Sequence, residues 1–214
     1  MPSRGLIVEM ATTPGIPGRL DYVPYEAQAV TEFVPRVVWL AEPDFPGHGQ
    51  VLEYIPTRAN VLAHLPDCSI AHYACHGVTD PVDPSKRRLL LHDHLEEPFT
   101  VASLALVDLN QAQLAYLSAC NTALNAATDL IDEAIHLTTA FQLAGFPHVI
   151  GTMWEINDQL AVEVARTFYA RLQTSAGALD VTRAAEALHS SVRAIRNKFP
   201  NIPSLWAAYL HAGA

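Results

Sequence analysis

Short apolar runs alternate along the chain with stretches in which apolar residues recur every three or four positions. The runs are typical of buried strands and the periodic stretches of amphipathic helices. In the first part of the chain this pattern predicts strands at residues 6–10, 37–40 and 69–75, with helices at residues 25–33 and from a Thr57 cap through residue 65. Because strands that alternate with helices build βαβ units, the order predicts a mostly parallel sheet with helices on its faces.

The second part of the chain continues the same alternation. It predicts a short strand at 88–91, a short helix or turn at 101–106, strands at 114–118 and 149–153, helices at 130–144, 158–172 and 179–199, and an edge strand or tail at 205–212. Neither an internal repeat nor a low-complexity linker interrupts this pattern. One α/β domain over residues 1–214 is therefore the simplest prediction.

Composition and charge exclude several classes of protein. Half of the residues are hydrophobic and 16% are charged, which is enough apolar material for a packed core. The net charge is −9, and the clearest basic cluster is the short run at residues 86–88, so we expect no nucleic-acid partner. The apolar stretch at residues 6–10 is too short for a signal sequence or a membrane span, and no other uncharged run reaches spanning length.

The chain has three cysteines, at positions 68, 75 and 120. An odd and low number without regular spacing argues against a disulfide framework and for a reducing compartment. We therefore expect a cytoplasmic protein with no membrane partner.

A base and a thiol stand at the ends of two predicted strands. His76 and Gly77 follow the strand at 69–75, and Cys120 follows the strand at 114–118. Because the carboxyl ends of parallel strands meet at one edge of a sheet, the two side chains converge if their strands are neighbours about 5 Å apart. An imidazole can take the proton of a thiol and later protonate a leaving amine, and the backbone N–H groups of Gly77 and Cys120 are candidate donors to an oxyanion.

The sequence around these residues resembles a known family. "HYACHG", then "LSACNT", then "IDEAIHLTTAFQLAGFPHVIGTMWEINDQ" are similar to the CHAT domain family of caspase-like peptidase domains related to separases, over about residues 69–214. His76 and Cys120 are 44 residues apart, close to the ~50 of caspase-type chains. The resemblance implies a caspase-haemoglobinase fold, with His76 as the base and Cys120 as the nucleophile. Family members often follow helical repeats, so the chain is either a stand-alone member or the peptidase part of a longer protein.

Simpler interpretations exist for the cysteines and histidines. Cys120 could be a buried structural thiol, and His76 a histidine that caps a loop. Strand alternation directs Cys75 into the core, and Cys68 beside a Pro-Asp turn is typical of a structural residue. A metal site is a further alternative, with ligands from His64, Cys68, His72, Cys75, His76, His92 and His94. Paired Cys-x-x-Cys ligands are lacking, and strand alternation directs His72 and Cys75 to opposite faces, which argues against a closed zinc site.

Three residues are candidates for contact with a substrate. Asp158 follows the strand at 149–153, where it could bind a basic side chain or, with Asn157, cap the next helix. Trp154 could form the wall of a specificity pocket or pack into the core. Asp80, in the loop after Gly77, is a weaker candidate whose alternative is a solvated loop charge.

The sequence therefore predicts a cysteine endopeptidase that cleaves a protein substrate through an acyl-enzyme, without a metal or organic cofactor. Its partners would be a protein or peptide substrate and an activating or regulatory protein. The alternative is a non-catalytic caspase-like interaction or switch domain. A doubly wound small-molecule enzyme lacks support, because neither a Gly-x-Gly-x-x-Gly after the first strand nor a phosphate-binding Gly-x-x-x-x-Gly-Lys-Ser/Thr is present.

Overall fold

A single mixed sheet forms the centre of the molecule. The structure is a computed structural model that describes residues 4–42, 55–78, 88–104, 107–121 and 130–213, with the backbone alone described at residues 101, 120, 121 and 130–136. The strands are β1 (Arg4–Glu9), β2 (Arg36–Ala41), β3 (Ile70–Val78), β4 (Arg88–Leu89), β5 (Phe99–Thr100), β6 (Leu114–Asn121), β7 (His148–Thr152) and β8 (Tyr209–Gly213).

The order of the strands along the sheet is β2-β1-β3-β6-β7-β8, with the small β4–β5 hairpin attached to β3. β2, β1, β3, β6 and β7 run parallel, whereas β8 and β4 pair antiparallel with β7 and β3. The chain places β2 on one side of β1 and β3 on the other. The strand order therefore reverses beside β1, which is where open α/β sheets form a crevice at their carboxyl ends.

Helices cover both faces of the sheet. They are α1 (Val23–Thr31), α2 (Arg58–His64), α3 (Val101–Leu104), α4 (Leu130–Leu143), α5 (Asp158–Leu172) and α6 (Ala184–Lys198), with single helical turns at Leu65–Asp67, Val181–Arg183 and Pro203–Leu205. The cap of α2 is the predicted one, because the Thr57 hydroxyl accepts a hydrogen bond from the Asn60 N–H.

Two apolar layers result from the alternation of side chains along the strands. The first layer joins one face of the sheet to α2, α3 and α4, with Leu6, Val8, Tyr73, Leu117 and Phe141 among its members. The second layer joins the other face to α1, α5 and α6, with Ile7, Tyr116, Ile150, Val164 and Phe168 among its members. Full burial of each such side chain contributes about 1.5–3 kcal/mol, so both faces are needed for the fold.

The structure confirms the predicted fold class and lengthens the two strands that matter most. β3 continues to Val78 and β6 to Asn121, so His76 and Cys120 lie within strands rather than in the loops behind them. The predicted helix at 158–172 is confirmed, while the helix predicted at 179–199 is divided into a single turn and α6. The segment at 205–212, left open between an edge strand and a tail, forms a short helical turn and the edge strand β8.

No helix in the described part of the chain is both long and apolar enough to cross a membrane.

The contact between α4 and β7 supplies a test of the packing. A Cβ atom on Gly151 would lie 2.7 Å from the Thr138 Cγ2 atom, closer than packed carbon atoms come. Gly151→Ala must therefore displace the Thr138 side chain or α4 itself, and we expect it to lower the free energy of unfolding by about 1–3 kcal/mol. Urea denaturation measures this change.

The control is Thr138→Ser, which removes the opposing methyl group. Gly151→Ala in the Thr138→Ser background should cost much less than in the wild type. An equal loss of stability in both backgrounds would show that the clash with Thr138 is not its source.

Candidate active site

His76 and Cys120 are paired in register on neighbouring strands. β3 and β6 run parallel from the pair Ile70–Leu114 to the pair Gly77–Asn121, and His76 stands directly opposite Cys120. Neighbouring strands lie about 5 Å apart, so the two residues occupy equivalent positions of the pleat near the carboxyl end of the sheet. The condition on which the predicted dyad depends, that its two strands are adjacent, is confirmed.

The His76 side chain is buried, with 5% of its surface exposed. Neither ring nitrogen has a hydrogen-bond partner among the described residues. Burial lowers the pKa of His76 from its ordinary value of 6.5, and the opposing charges of Glu155 and Glu42 only partly offset that effect. The ring is therefore neutral at pH 7, which is the form that can accept a proton from a thiol.

The other two cysteines belong to the apolar layer on the opposite face of the sheet. Cys75 and Cys68 are both fully buried in the apolar layer on the α2 and α4 side of the sheet, as predicted for Cys75 from alternation. Burial raises the pKa of Cys68 to about 11, which keeps its thiol protonated. Both residues are thus poor nucleophiles.

Gly77, the predicted oxyanion donor, is part of the sheet itself. It is buried in β3 between Leu89 of β4 and Asn121 of β6. Asp80, the weakest of the substrate-contact candidates, lies outside the described residues.

Trp154 and Asp158 both lie in the segment that follows β7, at the carboxyl edge of the sheet. The Trp154 indole N–H donates to the Ser204 carbonyl at 3.1 Å, and its half-buried ring packs with Ile156 and Ala208. The cap of α5 is Asn157, whose side chain accepts from the Leu160 N–H.

Asp158 is consequently the first residue of α5 rather than its cap. Its carboxylate accepts hydrogen bonds from the Gln159 N–H at 2.9 Å and from the Tyr22 N–H at 3.3 Å. Asp158 thus joins the start of α5 to the start of α1, both at the edge that carries His76.

Two carboxylates at this edge, Glu9 and Glu42, were not among the predicted site residues. Glu9 ends β1 on the same face as His76, is 2% exposed, and accepts a hydrogen bond from the Trp39 indole at 2.8 Å. Burial raises the pKa of Glu9 to about 7, the hydrogen bond from Trp39 lowers it, and the charge of Glu42 raises it further. The only signal in the sequence is a charged residue at the end of an apolar strand.

A metal centre finds no support in the described part of the chain. There, no three side chains from His, Cys, Asp and Glu lie close enough together to hold an ion. His92 and His94, two of the candidate ligands, lie in the turn region between β4 and β5.

Comparison with protein families identifies one domain. The model of the CHAT domain family matches residues 3–214, essentially the whole chain. No curated protein matches the sequence.

Comparison with solved structures finds cysteine proteinases of the same fold. The Arg-specific cysteine proteinase gingipain R superposes with a TM-score of 0.53 at 12% sequence identity, over 96% of this chain and 45% of that one. A complex of the pro- and mature domains of RgpB from Porphyromonas gingivalis gives a TM-score of 0.52 at 10% identity, over 97% of this chain and 46% of that one. The chain therefore shares a caspase-like fold with these proteinases and spans less than half of their length.

The buried carboxyl of Glu9 predicts a pH-dependent stability. Its pKa is about 7 in the folded protein and near 4.5 when unfolded, so the folded state binds the extra proton between these values. The wild type should lose stability relative to Glu9→Gln as pH rises from 4.5 to 7, by up to about 3 kcal/mol above pH 7. Urea denaturation at pH 4.5 and pH 8 measures the difference.

The matched control is Glu96→Gln, which removes one charge from an exposed position. A Glu9→Gln variant that tracks Glu96→Gln at both pH values would contradict the assignment of a strongly raised pKa to Glu9.

Proposed function

The chain belongs to the CHAT domain family, and on that premise we propose that it is a cysteine endopeptidase with His76 and Cys120 as its dyad. The observation that carries the proposal is the register of β3 and β6, which pairs these two residues with each other. The neutral state of the buried His76 ring and the caspase-like fold support it.

In the proposed reaction, Cys120 attacks the carbonyl carbon of the scissile peptide bond while His76 takes the thiol proton. The candidate donors to the negative charge that develops on the carbonyl oxygen are the backbone N–H groups of Gly77 and Cys120, and Gly77 would have to turn its N–H out of the sheet to serve this role. His76 then gives its proton to the leaving amine, the C–N bond breaks, and a thioester remains on Cys120. Water hydrolyses the thioester, with His76 again as the base. No step in this scheme calls on a metal or an organic cofactor.

The lowered pKa of His76 favours a neutral thiol and imidazole at rest over a preformed ion pair. Proton transfer then accompanies attack on the substrate. This arrangement keeps the thiol weakly reactive until a carbonyl carbon is in place.

Candidate substrate contacts lie on both sides of the dyad along the carboxyl edge of the sheet. Trp154 and Asp158 lie on the α5 side of the edge, and Glu9 and Glu42 on the β1 side. We propose that a peptide binds along this edge, with Trp154 and Asp158 as substrate contacts and Asp80 as a further candidate. The bonds of Asp158 to backbone N–H groups lower its capacity to bind a basic side chain but leave it accessible at the edge.

A pool of peptidyl acyloxymethyl ketones, varied at the residue before the ketone, tests the proposal. We expect labelling at Cys120, no labelling of the buried Cys68 and Cys75, and a rate at least about 100-fold lower in His76→Ala, because that variant lacks the base. Intact-mass analysis followed by peptide mapping locates the adduct and gives the rate.

The control is Cys120→Ala, which should take up no probe. Labelling at Cys68 or Cys75 but never at Cys120 would contradict the proposal. If Cys120→Ala matched the wild type in its effects on a partner protein and no probe reacted, the alternative of an interaction or switch domain would hold.

A further inference from the structure

A buried carboxylate beneath the dyad has no role in the proposed chemistry. Glu26 projects from the first turn of α1 and is 2% exposed. Its Oε2 atom accepts a hydrogen bond from the Ser118 hydroxyl at 3.0 Å. Its Oε1 atom lies 3.2 Å from His72 Nε2, an ion-pair distance at angles outside those of a hydrogen bond. One side chain thus reaches both β3 and β6.

These contacts lie directly below the dyad along the strands. Ser118 precedes Cys120 by two residues on β6, and His72 precedes His76 by four on β3. The far nitrogen of His72 lies 3.2 Å from the hydroxyl of Tyr169 in α5, which closes the cluster. Burial of a charge is costly unless it is paired, and an apolar side chain would pack between a helix and a sheet at lower cost. The presence of Glu26 here calls for a role other than packing.

The carboxyl-terminal half of β6 needs support from side chains because its ladder with β7 is short. Within the described residues, the ladder between β6 and β7 covers only the pairs from Leu114–His148 to Tyr116–Ile150. Beyond Tyr116, β6 keeps its ladder with β3, and on the β7 side the Thr152 hydroxyl donates a hydrogen bond to the Ala119 carbonyl at 3.3 Å. The segment of β6 that carries Cys120 therefore has side-chain contacts in place of a backbone ladder with β7.

We propose that Glu26 is a positioning residue for the dyad and acts through Ser118. The carboxylate holds the end of β6 against α1 and, through His72, against β3, so that Cys120 stays level with His76. This inference rests on the proposed function. It adds a residue that touches neither the substrate nor the reacting atoms and that decides how often the thiol is in place for attack. A displacement of about 1 Å at such a group is enough to lower a rate by a large factor.

The test compares the inactivation kinetics of folded variants with one reactive peptidyl acyloxymethyl ketone. Ser118→Ala removes the hydroxyl that Glu26 holds, Glu26→Ala removes the carboxylate, and Glu26→Gln keeps an acceptor of the same shape. Ser191→Ala is the matched control, because Ser191 is an equally buried serine whose hydroxyl bonds the Ala187 carbonyl within α6, away from the dyad. The maximal rate of inactivation and the half-saturating concentration are measured separately, beside the melting temperature.

We expect Ser118→Ala and Glu26→Ala to lower the maximal rate by about tenfold or more with little change in the half-saturating concentration. Glu26→Gln should recover most of the maximal rate. Ser191→Ala should keep the wild-type maximal rate even if its melting temperature falls as far as that of Ser118→Ala. Should Glu26→Ala fail to fold, Ser118→Ala alone decides the question.

A wild-type maximal rate in folded Ser118→Ala would overturn the inference, as would a loss no larger than that of Ser191→Ala. The His76→Ala variant separates this failure from that of the proposed function. If His76→Ala slows inactivation and Ser118→Ala does not, the dyad stands and the positioning role is wrong. If His76→Ala reacts like the wild type, both proposals are wrong.

Discussion

The parallel ladder between β3 and β6 is the constraint on which the rest of this protein depends. Backbone hydrogen bonds set the register, and the register decides that His76 stands beside Cys120 rather than beside a neighbour in the sequence. A slip of one residue would turn every following side chain of β6 to the opposite face of the sheet. The chemistry of the site is therefore determined by strand pairing first and by side-chain contacts second.

Several titratable side chains are buried at the carboxyl edge of the sheet. His76 is buried enough to stay neutral, and Glu9 is buried enough to hold its proton near pH 7. Beneath them, Glu26 and His72 form a buried polar cluster inside what is otherwise an apolar layer. Such groups reduce stability unless they are paired. These buried polar side chains lie on one face of the sheet, under and beside the dyad. The stability that they cost the protein is therefore spent at the candidate active site.

Much of the fold could be predicted from the sequence, because apolar runs and helical periodicity report burial directly. The β1-to-α2 region, α5 and the placement of a strand-end histidine and cysteine at one edge of the sheet follow from that pattern together with the family resemblance, whereas the adjacency of their two strands is seen in the structure alone. The lengths of β3 and β6 could not be predicted, since glycine, serine and asparagine at their ends look like loop residues until a neighbouring strand pairs with them. The cluster of Glu26, His72, Ser118 and Tyr169 joins four elements, and no local pattern connects residues so far apart in sequence.

The most direct test of the central claim is cross-linking with dibromoacetone, a short reagent whose two ends alkylate a thiol and then a nearby imidazole. Peptide mapping by mass spectrometry identifies which residues it joins. We expect a bridge between Cys120 and His76 in the wild type, and a single adduct on Cys120 without a bridge in His76→Ala. A bridge from Cys120 to a different residue, or an unbridged adduct in the wild type, would contradict it.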